Sequence, residues 1–350
     1  MQRVTVRILH PTPGSAPGTL TRALADARSR NAERLARRFG EAGAGDVEIV
    51  GGSSDGRSFG ERLRELVEGL PGAGREHGLV VLGSGSIPLA TRSFLADLVA
   101  VAGSGESRAL TNSFYSADVV AAGRALELAA VPDLPSDNAL PRWLRDVAGF
   151  EIEDAGRRWR LAIDLDSPLD VLLVGGQLGT AVPIAAVRER LERLRAVAAD
   201  PTAELVVAGR TSAATLRWLE RRTGSRTRAL IEERGLRAIG TVDQPRPPRS
   251  IVGLVLDDRG PGALGTVLAE LGDAAVVDSR VLLAHRVGID ERAWPAAEDR
   301  FASDLLLPDR IDDPWLRELT AAAAEAPIPV LLGGHTLVGP GLRLVLRGRP

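Results

Sequence analysis

An alternation of apolar segments with helical segments runs along the chain and restricts the folds that it can adopt. Residues 4–9, 46–50 and 78–83 are predicted strands, and the last of them is continuously apolar, as in strands buried on both faces. The segments between them place apolar residues three or four positions apart, which indicates helices. A β–α–β order implies a mostly parallel sheet with helices on both faces. The sequence therefore predicts an α/β protein with a Rossmann-like arrangement.

The second half of the chain repeats this alternation. Its predicted strands are residues 203–209, 227–233, 250–258, 274–286 and 328–334. An amphipathic helix, with apolar residues from Ile184 to Val197, lies between the two halves. Domains have roughly 100–200 residues each, so 350 residues suggest two. We expect one α/β domain at 1–180 and a second, of unknown role, at 181–350.

The composition excludes several kinds of chemistry. The chain has no cysteine, which excludes disulfides and thiolate nucleophiles, and no lysine, which excludes Schiff bases and a Walker P-loop. Any phosphate must therefore be bound by arginine, backbone amides or a metal ion. The net charge of −2 does not suggest a nucleic-acid partner. The N-terminal residues lack a signal-peptide core, and no apolar run reaches the ~20 residues of a membrane helix. We expect a cytoplasmic protein without a membrane partner.

Two carboxylates, Asp164 and Asp166, end the apolar segment 160–166, which is predicted to be a strand. Alternate residues of a strand share one face, and two like charges held there need a cation between them. Mg²⁺ is the natural occupant because it binds carboxylates together with substrate phosphates. The alternative is that the acids only begin a helix, with Ser167 as its N-cap and Asp170 in its first turn. Both interpretations remain open at this point.

The segment "DLDSPLDVLL" resembles the D-x-D-T-P-x-D-L motif of nucleotidyltransferases with the GT-A fold. The molybdenum-cofactor and phospholactate guanylyltransferases are the nearest of these families. They carry a second motif, Gly-Asp-x-Pro-Leu, and residues 85–89 read Gly-Ser-Ile-Pro-Leu, so Ser86 stands where the family has a Mg²⁺-binding aspartate. The resemblance covers about residues 4–173. It implies a GT-A-like domain in which Asp164 and Asp166 are catalytic and bind Mg²⁺.

The resemblance also implies a nucleotide site built from two loops. The family's first loop is rich in glycine and is followed by a basic residue, and residues 10–19 take its place here. The second loop, residues 83–86, follows a strand, and its backbone amides favour an anion, although a tight turn needs glycine equally. The expected partners are a nucleoside triphosphate and a small phosphorylated acceptor, and a homo-oligomer is compatible with the sequence. The predicted nucleotide-binding residues are His10, Gly14, Gly18, Arg22, Gly83, Ser84, Gly85, Ser86 and Asn112.

Two other functions remain open. A non-catalytic nucleotide or sugar-nucleotide binding protein with a regulatory role would explain Ser86. A NAD(P)-dependent oxidoreductase would use the second half, where glycines 260, 262 and 265 have G-x-G-x-x-G spacing after the predicted strand 250–258. Asp278 would then contact the ribose, but the acids at 257 and 258 would repel a pyrophosphate. The leading interpretation is NTP-dependent, Mg²⁺-dependent transfer of a nucleotidyl group to a phosphorylated small molecule.

Overall fold

A computed structural model describes most of the chain and divides it into two compact units. Unit 1 contains Met1–Ala16 and Ala25–Leu165, and unit 2 contains Pro17–Leu24 and Asp166–Pro350. The described residues are 3–14, 16–52, 56–70, 77–235 and 246–347.

The two units are not continuous in sequence. Helix α1 (Thr19–Glu41) contributes its first residues, up to Leu24, to unit 2 and the rest to unit 1. The main division falls between Leu165 and Asp166. The domain boundary expected at residue 180 stays a prediction.

Unit 1 is built on a six-stranded mixed sheet with the strand order β2-β1-β3-β5-β4-β6. Strands β1, β2 and β3 are mutually parallel, and β5 is antiparallel to both of its neighbours. The strands are β1 (Arg3–Pro11), β2 (Asp46–Gly52), β3 (His77–Gly83), β4 (Arg108–Thr111), β5 (Val119–Ala122) and β6 (Glu151–Asp154).

Helices cover both faces of this sheet, which explains the continuous apolar run of β3. Val80 and Leu82 of β3 belong to one buried cluster, together with residues of α1 and of α3 (Arg92–Ala102). Leu79 and Val81 belong to the opposite cluster, with α2 (Phe59–Glu68) and α4 (Leu140–Asp146). Successive residues of a strand face opposite sides, so both faces must be apolar.

Unit 2 contains a four-stranded parallel sheet with the order β10-β9-β7-β8. Its strands are β7 (Glu204–Gly209), β8 (Arg226–Ile231), β9 (Ala274–Asp278) and β10 (Val330–Gly333). The prediction of an α/β protein with helix-flanked sheets is confirmed at this level. The helices are α5 (Pro168–Leu173), α6 (Ala185–Ala199), α7 (Ala213–Arg222), α8 (Ile251–Arg259), α9 (Leu264–Leu271), α10 (Ser279–Val287), α11 (Ala297–Asp304), α12 (Pro314–Ala324), α13 (His335–Val338) and α14 (Leu342–Arg347).

Three predicted strands differ from the structure. Residues 250–258 form helix α8, because Ser250 caps its first turn by accepting from the Gly253 amide; a short apolar run alone cannot distinguish a strand from a buried helix. The predicted strand 274–286 ends at Asp278, where α10 begins. The predicted strand 160–166 is a 3₁₀ turn at Trp159–Ala162 followed by extended chain.

Within the described residues, the structure contains no helix that combines the length and the apolar character needed to cross a membrane.

Candidate functional site

A cleft opens at the carboxyl ends of β1, β2 and β3 in unit 1. Parallel strands end at the same edge of a sheet, and the register pairs His10 with Gly51 and Leu9 with Gly83. In open α/β sheets this edge is where ligands bind. The cleft has a volume of about 430 Å³. Its lining is Leu9, His10, Pro11, Val50, Gly51, Gly52, Arg57, Arg62, Glu65, Leu66 and Gly83.

The polar side of this edge cleft contains a histidine and two arginines. His10 Nδ1 lies 3.0 Å from Ser84 Oγ, so the ends of β1 and β3 are joined by a side-chain hydrogen bond. Burial, and then the charge of Arg28, lower the pKa of His10. The ring is therefore neutral at neutral pH and has one donor and one acceptor nitrogen. Arg57 and Arg62 also line the cleft, and Arg57 pairs there with Glu65 at 2.6 Å.

The loop that follows β3 is fixed by helix α1. The amide of the buried Asn31 donates to the carbonyl of Ser84 at 2.9 Å and to that of Ser86 at 3.1 Å. Ile87, which is fully buried, has φ of +43°, a conformation that is rare and strained for a β-branched residue. Such strain persists only where the surroundings impose it, and it is concentrated at functional sites. The loop is thus held in a defined, non-standard conformation.

This loop brings the two motifs of the resemblance together. Ser86 and Asp164 form an isolated antiparallel bridge, and the Leu165 amide donates to the Gly85 carbonyl at 3.0 Å. Arg28 Nε donates to the Leu165 carbonyl at 2.7 Å. A Cβ on Gly85 would lie 3.1 Å from both Arg28 Nε and the Leu165 oxygen, so the close approach favours glycine. Unit 1 therefore places one carboxylate, one hydroxyl and one guanidinium beside the end of β3.

Asp164 and Asp166, the predicted catalytic and Mg²⁺-binding pair, differ in their surroundings. Asp164 is 9% exposed and belongs to unit 1, whereas Asp166 is exposed and belongs to unit 2. Among the described residues, no group of three or more His, Asp or Glu side chains is arranged to hold a metal ion. Mg²⁺ commonly takes only one or two carboxylates and completes its shell with water and substrate phosphates. The segment bridged to the loop after β3 offers one carboxylate, that of Asp164.

Ser167 and Asp170 have the helix-capping role that the sequence offered as the alternative. They form a capping box at the start of α5: Ser167 Oγ accepts from the Asp170 amide, and Asp170 Oδ2 accepts from the Ser167 amide at 2.8 Å. Asp170 is buried, and burial, followed by the charges of Asp166 and Asp304, raises its pKa to about 8. The charge of Arg280 acts in the opposite direction on this pKa, but Arg280 forms a two-pronged pair with Asp304. Asp170 is therefore a neutral carboxylic acid at neutral pH.

The predicted first loop is divided between the units. Gly14 is exposed and belongs to unit 1, whereas Gly18 and Arg22 belong to unit 2. Arg22 is exposed and donates to the Pro17 carbonyl at 3.1 Å. A Cβ on Gly18 would lie 2.2 Å from the carboxyl carbon of Glu298, so this glycine serves a close approach within unit 2.

The close contact at Gly18 places the carboxylate of Glu298 on the first turn of α1. Glu298 accepts from the amides of Leu20 at 2.8 Å and Thr21 at 2.9 Å, and from the Thr21 hydroxyl at 2.8 Å. A carboxylate there satisfies helix amides that lack partners and favours the positive end of the helix dipole. Glu298, 280 residues from Gly18 in the chain, was not part of the predicted site.

Asn112 lies inside unit 1 rather than at the edge cleft. Its side chain donates to Asp118 at 2.7 Å and to the Leu161 carbonyl at 2.9 Å, and it accepts from the amides of Asp118 and Val119. These bonds use both ends of the amide and hold the turn between β4 and β5. Its role as a nucleotide contact stays a prediction.

The glycine pattern of the second half does not follow a strand. Gly260 ends helix α8, Gly262 lies in the short turn that follows, and Gly265 lies in the first turn of α9. The dinucleotide fingerprint needs a strand before the glycines. Asp278, the predicted ribose ligand, is fully buried in a two-pronged ion pair with Arg210. The local geometry on which the NAD(P) interpretation depended is therefore absent from these segments.

Three arginines near this edge are absent from the predicted site, in which Arg22 is the one basic residue besides His10. Arg28 lies two turns further along the same helix, and Arg57 and Arg62 flank the start of α2. Helix α1 contains six arginines, and their spacing along the helix does not indicate which of them lies near the loop after β3. A signal was nevertheless present, because a cation just before the helix after β2 falls at the carboxyl edge of a parallel sheet.

No family model, no curated protein and no solved structure matches the chain.

Proposed function

We propose that unit 1 binds a nucleoside triphosphate in the edge cleft and transfers its nucleotidyl group to a phosphorylated small molecule. The observation that carries this proposal is the cleft itself, where three parallel strands end beside a neutral histidine and two arginines. Its volume of about 430 Å³ falls within the usual range for small-molecule sites. Arginine is the side chain best suited to phosphate, and the chain has no lysine to take that role.

In this proposal each group at the edge has a separate task. Arg57 and Arg62 attract and orient the phosphates. His10, positioned by Ser84, offers one ring nitrogen to the ligand as a directional donor or acceptor. Mg²⁺, held by Asp164 and the phosphates, would neutralise charge in the reacting group. The acceptor's phosphate oxygen bonds to the α-phosphorus while the bond to the β-phosphate breaks, and pyrophosphate leaves. The assignment of Asp166 as a second catalytic carboxylate stays a prediction.

A non-catalytic nucleotide-binding protein is the second candidate, and Ser86 favours it. A hydroxyl replaces the carboxylate that the resembling families use for Mg²⁺, so the metal is held with less charge. Binding through the cleft would survive this change, whereas the rate of transfer would fall.

A steric variant tests the cleft. Gly52 lines it, and a Cβ added there meets no protein atom within 4 Å, so Gly52→Leu fills the cleft without straining the unit. Gly40, in the last turn of α1, is equally unobstructed and does not line the cleft, so Gly40→Leu is the matched control. We expect a nucleoside triphosphate at ~100 times its dissociation constant to stabilise the wild type and Gly40→Leu by ~2.7 kcal/mol in thermal unfolding. Gly52→Leu should show no such gain. If no triphosphate stabilises the wild type, or if Gly52→Leu responds equally, the proposal is wrong.

The role of the metal is tested by calorimetry with and without Mg²⁺. Asp164→Asn keeps the shape of the side chain and removes its charge, so the Mg²⁺-dependent part of nucleotide affinity should disappear. Ser86→Asp should increase that part, because the bridge places residue 86 beside residue 164. If both variants bind as the wild type does, Mg²⁺ is not held at this bridge, and the non-catalytic alternative is preferred.

A further inference from the structure

Three arginines of α1, Arg34, Arg37 and Arg38, lie in the part of the helix that belongs to unit 1, and we call them the arginine patch. Residues three and four positions apart are neighbours on a helix surface, so position 34 adjoins both 37 and 38. Arg37 is exposed, and Arg34 and Arg38 are half-buried. The patch therefore concentrates three positive charges on a small area.

The hydrogen-bond partners of Arg34 and Arg38 are neutral. Arg34 Nη2 donates to Asn31 Oδ1 at 2.7 Å, and Arg38 Nη1 donates to the Ala90 carbonyl at 3.3 Å. Within the part of the chain that the structure describes, no carboxylate lies within ion-pair distance of these three guanidinium groups. Among the described residues of unit 1, the patch therefore has neutral hydrogen-bond acceptors and no ion pair.

The acidic residues of the same helix stretch contact other groups. Glu33 accepts from the Ser29 hydroxyl at 3.5 Å, and Glu41 lies 3.8 Å from Arg92. In both cases the nearest contact of the carboxylate is with a group outside the patch.

Repulsion among the three arginines contributes to the pKa of Arg34. Burial, and then the charges of Arg38 and Arg37, lower the pKa of Arg34 to about 10. Each of these causes disfavours the charged form, and a nearby anion acts in the opposite direction. An anion bound at the patch should therefore gain more binding free energy than one bound at an isolated arginine.

The patch is also connected to the loop after β3. Asn31 accepts from Arg34 with its oxygen and donates with its nitrogen to the Ser84 and Ser86 carbonyls. Arg38 contacts the same loop at Ala90. A ligand held by the patch is thus bound against a fixed backbone rather than on a mobile surface, which favours a small and specific ligand.

We propose that the arginine patch binds a multiply charged, phosphate-bearing small molecule. Planar guanidinium groups present paired donors that match phosphate oxygens, and three of them supply enough charge for a polyphosphate. None of the patch residues lines the edge cleft, so this inference does not depend on the proposed function.

Calorimetric titration with inorganic pyrophosphate tests the patch, in the Gly52→Leu background so that the edge cleft is blocked. We expect saturable binding that chloride at the same ionic strength does not reproduce. The double variant Arg37→Gln/Arg38→Gln should weaken it by at least about tenfold, the loss expected for charge-assisted hydrogen bonds. The control is Arg221→Gln/Arg222→Gln, which removes a similar exposed pair from the last turn of α7 and should bind as its parent.

A second readout separates a binding patch from an ordinary solvated helix face. Without phosphate and at low ionic strength, Arg37→Gln should raise the melting temperature, because it removes one of three repelling charges. The proposal is overturned if pyrophosphate binds no better than chloride, or if the double variant keeps the parent's affinity. Tighter binding of a single-stranded oligonucleotide than of pyrophosphate at the patch would also overturn it, since the ligand would then be a nucleic acid.

Discussion

The buried carboxyl group of Asp170 makes the stability of unit 2 depend on pH. Its pKa is about 8 in the folded protein, against 3.8 for an unperturbed aspartate. Between these two values the folded state keeps a proton that the unfolded state has lost. The contribution of Asp170 to the free energy of unfolding is therefore complete below the pKa of the unfolded state and is lost as the pH rises through the pKa of the folded state. Between the two pKa values the free energy of unfolding falls by about 1.4 kcal/mol per pH unit.

The variant Asp170→Asn removes this titration and keeps an oxygen that can accept from the Ser167 amide. From about pH 5.5 to about pH 7.5 we expect the wild type to lose roughly 2.7 kcal/mol relative to the variant. For a unit of this size the loss corresponds to about 5–10 °C in melting temperature. Urea unfolding followed by circular dichroism at a series of pH values measures it.

The control is Asp258→Asn, which changes an exposed aspartate of α8 in the same unit. Its pH profile should follow that of the wild type. A constant difference between Asp170→Asn and the wild type across this range would refute the reasoning, because Asp170 would then be ionised in the folded protein.

Two further substitutions test charged groups with internal partners in unit 2. Glu298→Ala removes the acceptor of three hydrogen bonds from the first turn of α1 and should cost about 1–2 kcal/mol in chemical denaturation, and a variant as stable as the wild type would contradict the capping role. Arg210→Met leaves the fully buried Asp278 without its cation and should lower the free energy of unfolding by about 3–5 kcal/mol. The double variant Arg210→Met/Asp278→Leu should recover most of that loss. If it does not, the pair is needed for more than charge balance.

Strands buried on both faces were the most predictable part of the fold. Residues 78–83 are continuously apolar between two glycines, residues 205–209 are an apolar run that ends at a glycine, and both lie in strands of the structure. Residues 250–258 have the same character and form a helix, because the Ser250 cap and the length of the run allow either state. Strands β4 and β5 have four residues each, too few for a periodic signal.

The candidate site was predictable where it depends on strand ends and not where it depends on long-range contacts. His10, Gly83 and Ser84 follow directly from the positions of β1 and β3. The contact of Arg28 with Leu165 joins residues 137 apart, and no local pattern indicates it. The helix cap of Ser167 and Asp170 is local, and its residue spacing predicted it correctly.

The Glu298 contact with α1 also has a consequence for the order in which the protein is made. The hydrogen-bond acceptor of the Leu20 amide, Glu298, lies 278 residues later in the chain. At synthesis rates of about 5–20 residues per second, that interval is roughly 15–55 s. During it the N-terminal end of α1 leaves the ribosome with its first amides uncapped and with the apolar Leu20 and Leu24 lacking the burial they have in the finished protein. The first turn of α1 can therefore reach its finished hydrogen bonding only after α11 has been translated.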